Sequence, residues 1–134
     1  MDKKIIWSII VAALIIGGTF FFLPGNNTAA NLPPKEGVSQ NVTIADGKQI
    51  IEISAKYGYS PRNTWAKAGI PTTIKIKTMN TFDCSLALNI PKVNFRKTLP
   101  SSGDTLIELP AQQKDSVMNG ICGMGMYNFE IKFL

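Results

Sequence analysis

Hydrophobic and polar positions along this chain follow two textures. Residues 5–23, directly after Lys3-Lys4, contain no charge, and only Ser8 and Thr19 bring polar side chains. As a helix rising about 1.5 Å per residue, the run nearly matches the roughly 30 Å of a bilayer's hydrocarbon core. Trp7 at one end and Phe20, Phe21 and Phe22 at the other suit the edges of a membrane. From about residue 48 the texture becomes short β-prone runs punctuated by Gly, Pro and Asn. The first, 49–55, puts Ile51 and Ile53 on one face and Glu52 on the other. Residues 57–61 turn the chain. Runs at 64–68 and 72–78 are joined through Gly69-Ile70-Pro71. Further runs at 82–90, 94–99 and 105–109 are stopped by Pro91, Pro100 and Pro110, and runs at 116–122 and 127–134 close the set. This spacing predicts an all-β, antiparallel Greek-key sandwich or barrel, with no helix beyond the N-terminal one. Tyr59, Trp65, Phe82, Phe129 and the Ile/Leu/Val positions are expected to fill its core.

Three parts follow from the pattern: a membrane anchor at 1–23, a flexible tether at 24–47 and a folded domain at 48–134. The tether reading rests on Pro24, Gly25, Asn26, Asn27, Pro33, Pro34 and Gly37, among which hydrophobic periodicity is weak. A cleaved signal peptide is the alternative for the first part, since Thr28-Ala29-Ala30 offers small residues. The apolar run exceeds the usual 7–15 residues of a signal peptide, which favours a retained anchor. Either way the N-terminal lysines place that end in the cytoplasm and the remainder outside the cell membrane, crossed once.

Composition narrows the function. The net charge is +5, but the lysines are spread along the chain without a basic cluster interleaved with aromatics, so no nucleic-acid groove is expected. No nucleophile–base pair or carboxylate cluster stands out, and Ser101-Ser102 has no histidine anywhere in the chain to activate it. A non-enzymatic, monomeric protein is the expectation.

The chemistry is concentrated in Cys122-Gly123-Met124-Gly125-Met126. In extended backbone, positions i, i+2 and i+4 share a face, so three sulfurs would point one way with glycines leaving the approach open. Thiolate and thioether donors select Cu(I) over hard cations. One other cysteine exists, Cys84, which lies thirty-eight residues earlier in Asp83-Cys84-Ser85. Two cysteines in an oxidising compartment are by default a disulfide, and a loop of this length would contribute roughly 4 kcal/mol. Met124 and Met126 have no use in such a staple, and a glycine loop is a poor place for core methionines; Met79 and Met118, on or beside strands, read as packing. A copper site and a disulfide in its absence are compatible. The chain has no histidine, which excludes a blue-copper electron-transfer centre and a dinuclear oxidase centre. A disulfide-stapled surface module with a binding or structural role remains as the rival.

Tyr57-Gly58-Tyr59-Ser60-Pro61, Ala68-Gly69-Ile70-Pro71, Asp83-Cys84-Ser85 and Cys122-Gly123-Met124-Gly125-Met126-Tyr127 are similar to a histidine-less branch of the cupredoxins. With the anchor, the chain resembles the CupA-type membrane-anchored, cell-surface Cu(I) chaperones of Gram-positive bacteria. The resemblance implies a cupredoxin-like domain holding a pair of Cu(I) ions. Cys84 and Cys122 would hold or bridge them, Met124 and Met126 would complete the weaker position, and Glu52, a hard donor, would stand at the place of a family glutamate. It also implies a copper-exporting P-type ATPase as partner and copper resistance as the role.

Overall fold

A computed structural model describes residues 37–134; the expected anchor at 1–23 and most of the expected tether lie outside that range. Among the described residues no helix is long and apolar enough to cross a membrane.

The described chain is all-β. Its strands are β1 (Val42–Ala45), β2 (Lys48–Ala55), β3 (Tyr59–Ser60), β4 (Asn63–Ala66), β5 (Thr72–Thr78), β6 (Ala87–Ile90), β7 (Phe95–Thr98), β8 (Gly103–Leu109), β9 (Val117–Cys122) and β10 (Asn128–Phe133). They form two sheets: one ordered β1-β2-β5-β8 with β3 also on β2, the other ordered β4-β10-β9-β6-β7. One continuous core draws Ile51, Ile53, Ile74, Ile76 and Ile107 from the first sheet and Leu88, Ile90, Met118, Phe129, Ile131 and Phe133 from the second. The sandwich expectation therefore holds, whereas no closed barrel forms. The sheets are mixed rather than antiparallel throughout. β2 and β5 pair in parallel, as do β4 and β10. Parallel partners need long connections, and here the chain supplies them by changing sheets between β3 and β4 and again before β5.

Period-two alternation explains why each strand sits where it does. β5 reads Thr-Thr-Ile-Lys-Ile-Lys-Thr, with Thr72, Ile74, Ile76 and Thr78 buried and the intervening residues turned outward. On β2, Gln49 is also buried, because its side-chain amide is satisfied. It donates to Lys67 O and Thr72 Oγ1, both at 2.7 Å, and accepts from Lys67 N at 3.0 Å. This glutamine ties the sheets together at one end of the sandwich.

Three local expectations need correction. Val42–Ala45, within the stretch read as tether, is a strand joined to β2 by a two-residue turn in which Asp46 and Gly47 both have positive φ. Asp-Gly is the pairing that such a hairpin turn demands. The run 82–90 is not one strand, because Cys84–Leu86 forms a 3-10 turn before β6 begins. Phe82 is not in the core but 81% exposed, and Trp65 is only half-buried, while Tyr59 and Phe129 are buried as expected. Phe82 is held outward by its neighbours: Thr81 Oγ1 donates inward to Ala55 O at 2.7 Å, and Asp83 is fastened to the Tyr57 loop.

Candidate functional site

The C-terminal ends of β2 and β9 and the beginnings of β6 and β10 meet at the other end of the sandwich, and there the sulfurs are found. Cys84 and Cys122, thirty-eight residues apart, form a disulfide with a Cα–Cα distance of 5.9 Å. No cysteine is free. Cys122 is the last residue of β9, paired with Leu88 on β6 and packed in the core at 2% exposure. Its sulfur accepts the backbone N–H of Tyr127 at 3.4 Å. Cys84, by contrast, is half-buried in the 3-10 turn.

Asp83 shapes that turn. Its carboxylate accepts from Ser85 N at 2.8 Å and from the Ser85 hydroxyl, capping the turn, and from Tyr57 N at 2.9 Å in the neighbouring loop. Ser85 in turn accepts from Gly58 N at 2.8 Å through its hydroxyl and from the Tyr59 phenol at 3.0 Å through its carbonyl. Burial raises the Asp83 pKa, but the Ser85 hydroxyl and the N–H groups of Tyr57 and Ser85 outweigh it and hold the carboxyl below its ordinary range. A backbone with φ of 118° at Gly58 passes under the Tyr127 ring, where a Cβ would lie 3.5 Å from a ring carbon. Three loops, 57–58, 82–85 and 122–127, thus converge on the disulfide.

The same-face expectation for the sulfurs of Cys122, Met124 and Met126 does not hold. Extended backbone ends at Cys122, whose N–H donates to Tyr127 O at 2.9 Å and whose carbonyl accepts from Gly125 N at 2.8 Å. These bonds close residues 123–126 into a hairpin loop with Gly125 at a φ of 74°, a value glycine adopts without strain. Cys122 faces inward while Met124 and Met126 stand 77% and 64% exposed on the loop. Met79 is also exposed, at 70%, and Met118 is fully buried core.

Glu52 is not brought to the sulfurs. It projects from the outer face of β2, opposite Ile51 and Ile53, and pairs with Lys77 at 3.1 Å and Lys75 at 3.6 Å. Lys75 also reaches Asp104 at 3.2 Å, so the charges form a chain across β2, β5 and β8. The hydrogen bond from Lys77 is the main cause that lowers the Glu52 carboxyl below its ordinary range; burial opposes it and Lys75 adds to it. Among the described residues no three His, Cys, Asp or Glu side chains gather as a metal site. What the fold gathers is soft: two cysteine sulfurs at bonding distance beside a loop bearing two exposed thioethers. Sequence reasoning did not find Asp83, Ser85 and Tyr127 as the groups that hold the cysteines. An Asp two residues before a Ser is a capping signal that was available for the first two.

No family model matches this sequence, and no curated protein matches it either. Solved structures do. The metal binding domain of the Streptococcus pneumoniae D39 Cu(I) exporting P-type ATPase CopA, solved with Cu(I), superposes with a TM-score of 0.62 at 20% identity, covering 69% of this chain and 92% of that one. A copper binding protein solved in its apo form by NMR superposes equally well, with a TM-score of 0.62 at 22% identity over 71% of this chain and 96% of that one. At these identities the shared property is the fold.

Proposed function

We propose that this protein is a membrane-anchored, extracytoplasmic copper chaperone that binds Cu(I) and passes it to a copper-exporting P-type ATPase, a carrier rather than an enzyme. The observation that carries the reading is the meeting of Cys84 and Cys122 beside the exposed Met124–Met126 loop. Sulfurs close enough to bond are, once reduced, close enough to share a Cu(I) ion, and the thioethers supply a second, weaker position for a pair of ions. Soft donors suit Cu(I). Exposure of the methionines leaves room for an acceptor's thiolate to enter before a host ligand departs. Of the two solved structures above, one is a domain of a Cu(I) exporter solved with Cu(I) and the other a copper binding protein, which supports the cargo and the partner.

The rival is a disulfide-stapled surface module, and the closed Cys84–Cys122 bond favours it. Titrating the reduced protein with Cu(I) against a chromophoric chelator decides between them. The chaperone reading expects tight uptake that is lost in Cys84→Ser and Cys122→Ser. Met124→Leu with Met126→Leu lowers capacity while sparing the tighter position, and Glu52→Gln leaves uptake unchanged. Reduced protein that takes no copper from the chelator leaves the stapled module standing.

A further inference from the structure

The two halves of the disulfide are not equivalent. Cys122 is 2% exposed, packed in the core, and already receives the Tyr127 N–H at 3.4 Å. Cys84 is half-buried, on a turn between exposed Phe82 and exposed Ala87. Thiol–disulfide exchange is an in-line displacement: the attacking sulfur approaches one disulfide sulfur from the side away from the other. Cys84, partly exposed at the edge of the core, is the sulfur an incoming thiol can reach, whereas Cys122 lies within the buried core beside its strand partner Leu88.

We propose that Cys84 is a thiolation site for small free thiols, and that Cys122 is the sulfur released when one attacks. The thiolate of the incoming thiol forms a bond to Cys84 Sγ as the Cys84–Cys122 bond breaks, and the electron pair leaves on Cys122 Sγ. The Tyr127 N–H lies where that new negative charge appears, so a hydrogen bond present in the disulfide form becomes charge-assisted when Cys122 leaves as a thiolate. A second thiol then attacks the mixed disulfide, freeing Cys84. In sum two thiols become one disulfide, the protein disulfide takes up two electrons, and the two thiol protons pass to the cysteines or to water. The reductant class is a small monothiol such as glutathione. This chemistry stands on the two sulfurs alone; its consequence, that copper donors stay locked until a thiol arrives, rests on the copper reading.

The test uses the full chain with its disulfide intact, treated with one equivalent of glutathione, quenched with excess iodoacetamide and mapped by peptide mass spectrometry. The expected product carries glutathione on Cys84 and the alkyl group on Cys122. Glutathione on Cys122, or an even division, overturns the proposal. Because Cys122 can attack back before the quench, single-cysteine variants supply a second measurement. With a small aromatic disulfide, Cys84 in Cys122→Ser is expected to react at least about tenfold faster than Cys122 in Cys84→Ser, following its exposure. Equal or reversed rates overturn it. Copper titration is read separately, so failure of the copper reading leaves this regiochemistry intact, and the reverse is equally distinguishable.

Discussion

Asp83 fastens Tyr57 from a loop twenty-six residues away: its Oδ2 accepts the Tyr57 backbone N–H at 2.9 Å while its Oδ1 caps the turn that carries Cys84. One carboxylate thereby fixes where the more accessible sulfur sits. Asp83→Ala removes three acceptor contacts at once, and the expected loss is about 2 kcal/mol, the upper part of the range for a cap. Asp83→Asn, which keeps one acceptor oxygen, recovers part of it. Urea denaturation of the oxidised proteins measures both. The folded carboxyl titrates below its unfolded value, so the wild-type advantage is present above about pH 4 and fades as pH falls through the folded pKa. A pH-independent difference between wild type and Asp83→Ala would remove the charge from this account.

What the sequence made readable divides along a physical line. Local alternation and punctuation place strands, and the run at 72–78 is β5 to the residue. Sheet membership depends on contacts between distant segments, so the parallel pairs β2–β5 and β4–β10 leave no local mark. The hairpin through Asp46-Gly47 had a local mark, but the surrounding Pro and Asn residues read as linker. At the site, the residue types were legible and the geometry was not. Nothing in the spacing of Cys84 and Cys122 shows that they touch; a disulfide was one open reading. The alternation that would align Cys122 with Met124 and Met126 ends because Gly125 turns the chain, and a glycine is compatible with either outcome. Glu52 matched by order along the chain, yet the same alternation that buries Ile51 and Ile53 sends it to the opposite face, among lysines.

Gly120, buried on β9, lies across from Phe129 on β10, and a Cβ built there falls 2.2 Å from two carbons of the Phe129 ring. The ring covers the bare backbone, so the pair acts as one packed unit. Gly120→Ala forces Phe129 to move, and Phe129 stands edge-to-face against Tyr59 with ring centroids 5.2 Å apart. The expected cost is about 2–3 kcal/mol from overpacking, with a changed near-ultraviolet circular dichroism signal from the displaced aromatics. Adding Phe129→Leu to Gly120→Ala should restore part of the loss. If the alanine variant melts like wild type, the ring is not confined as described.

The Cys84–Cys122 bond closes a loop of thirty-eight residues, for which chain entropy alone gives about 4 kcal/mol of stabilisation. Reducing it should lower the denaturation midpoint accordingly, with no further loss on adding Cys84→Ser. Cu(I) bound by both thiolates would re-create the cross-link, so saturating Cu(I) is expected to recover the midpoint in the reduced wild type and not in Cys84→Ser. Recovery in both would mean that copper stabilises through the methionines instead.

Tyr59 is the side chain whose titration the fold resists most visibly. It is 4% exposed, its phenol donates to Ser85 O at 3.0 Å, and burial, aided by the Asp83 charge, pushes its pKa up to about 12. The protonated form is the one the folded state favours. Its contribution is therefore fully present below the unfolded value near pH 10 and is lost as pH rises through about 12. Two pK units correspond to about 3 kcal/mol, so the unfolding free energy should fall over this interval by an amount of that order, and denaturation midpoints with it. Lysines also lose charge there, which makes Tyr59→Phe the needed control. That variant starts less stable through the lost hydrogen bond to Ser85, yet it should decline less steeply, and the latest-rising tyrosinate absorbance of the wild type should be missing from it. Parallel declines in the two proteins would show that the alkaline loss arises from other groups.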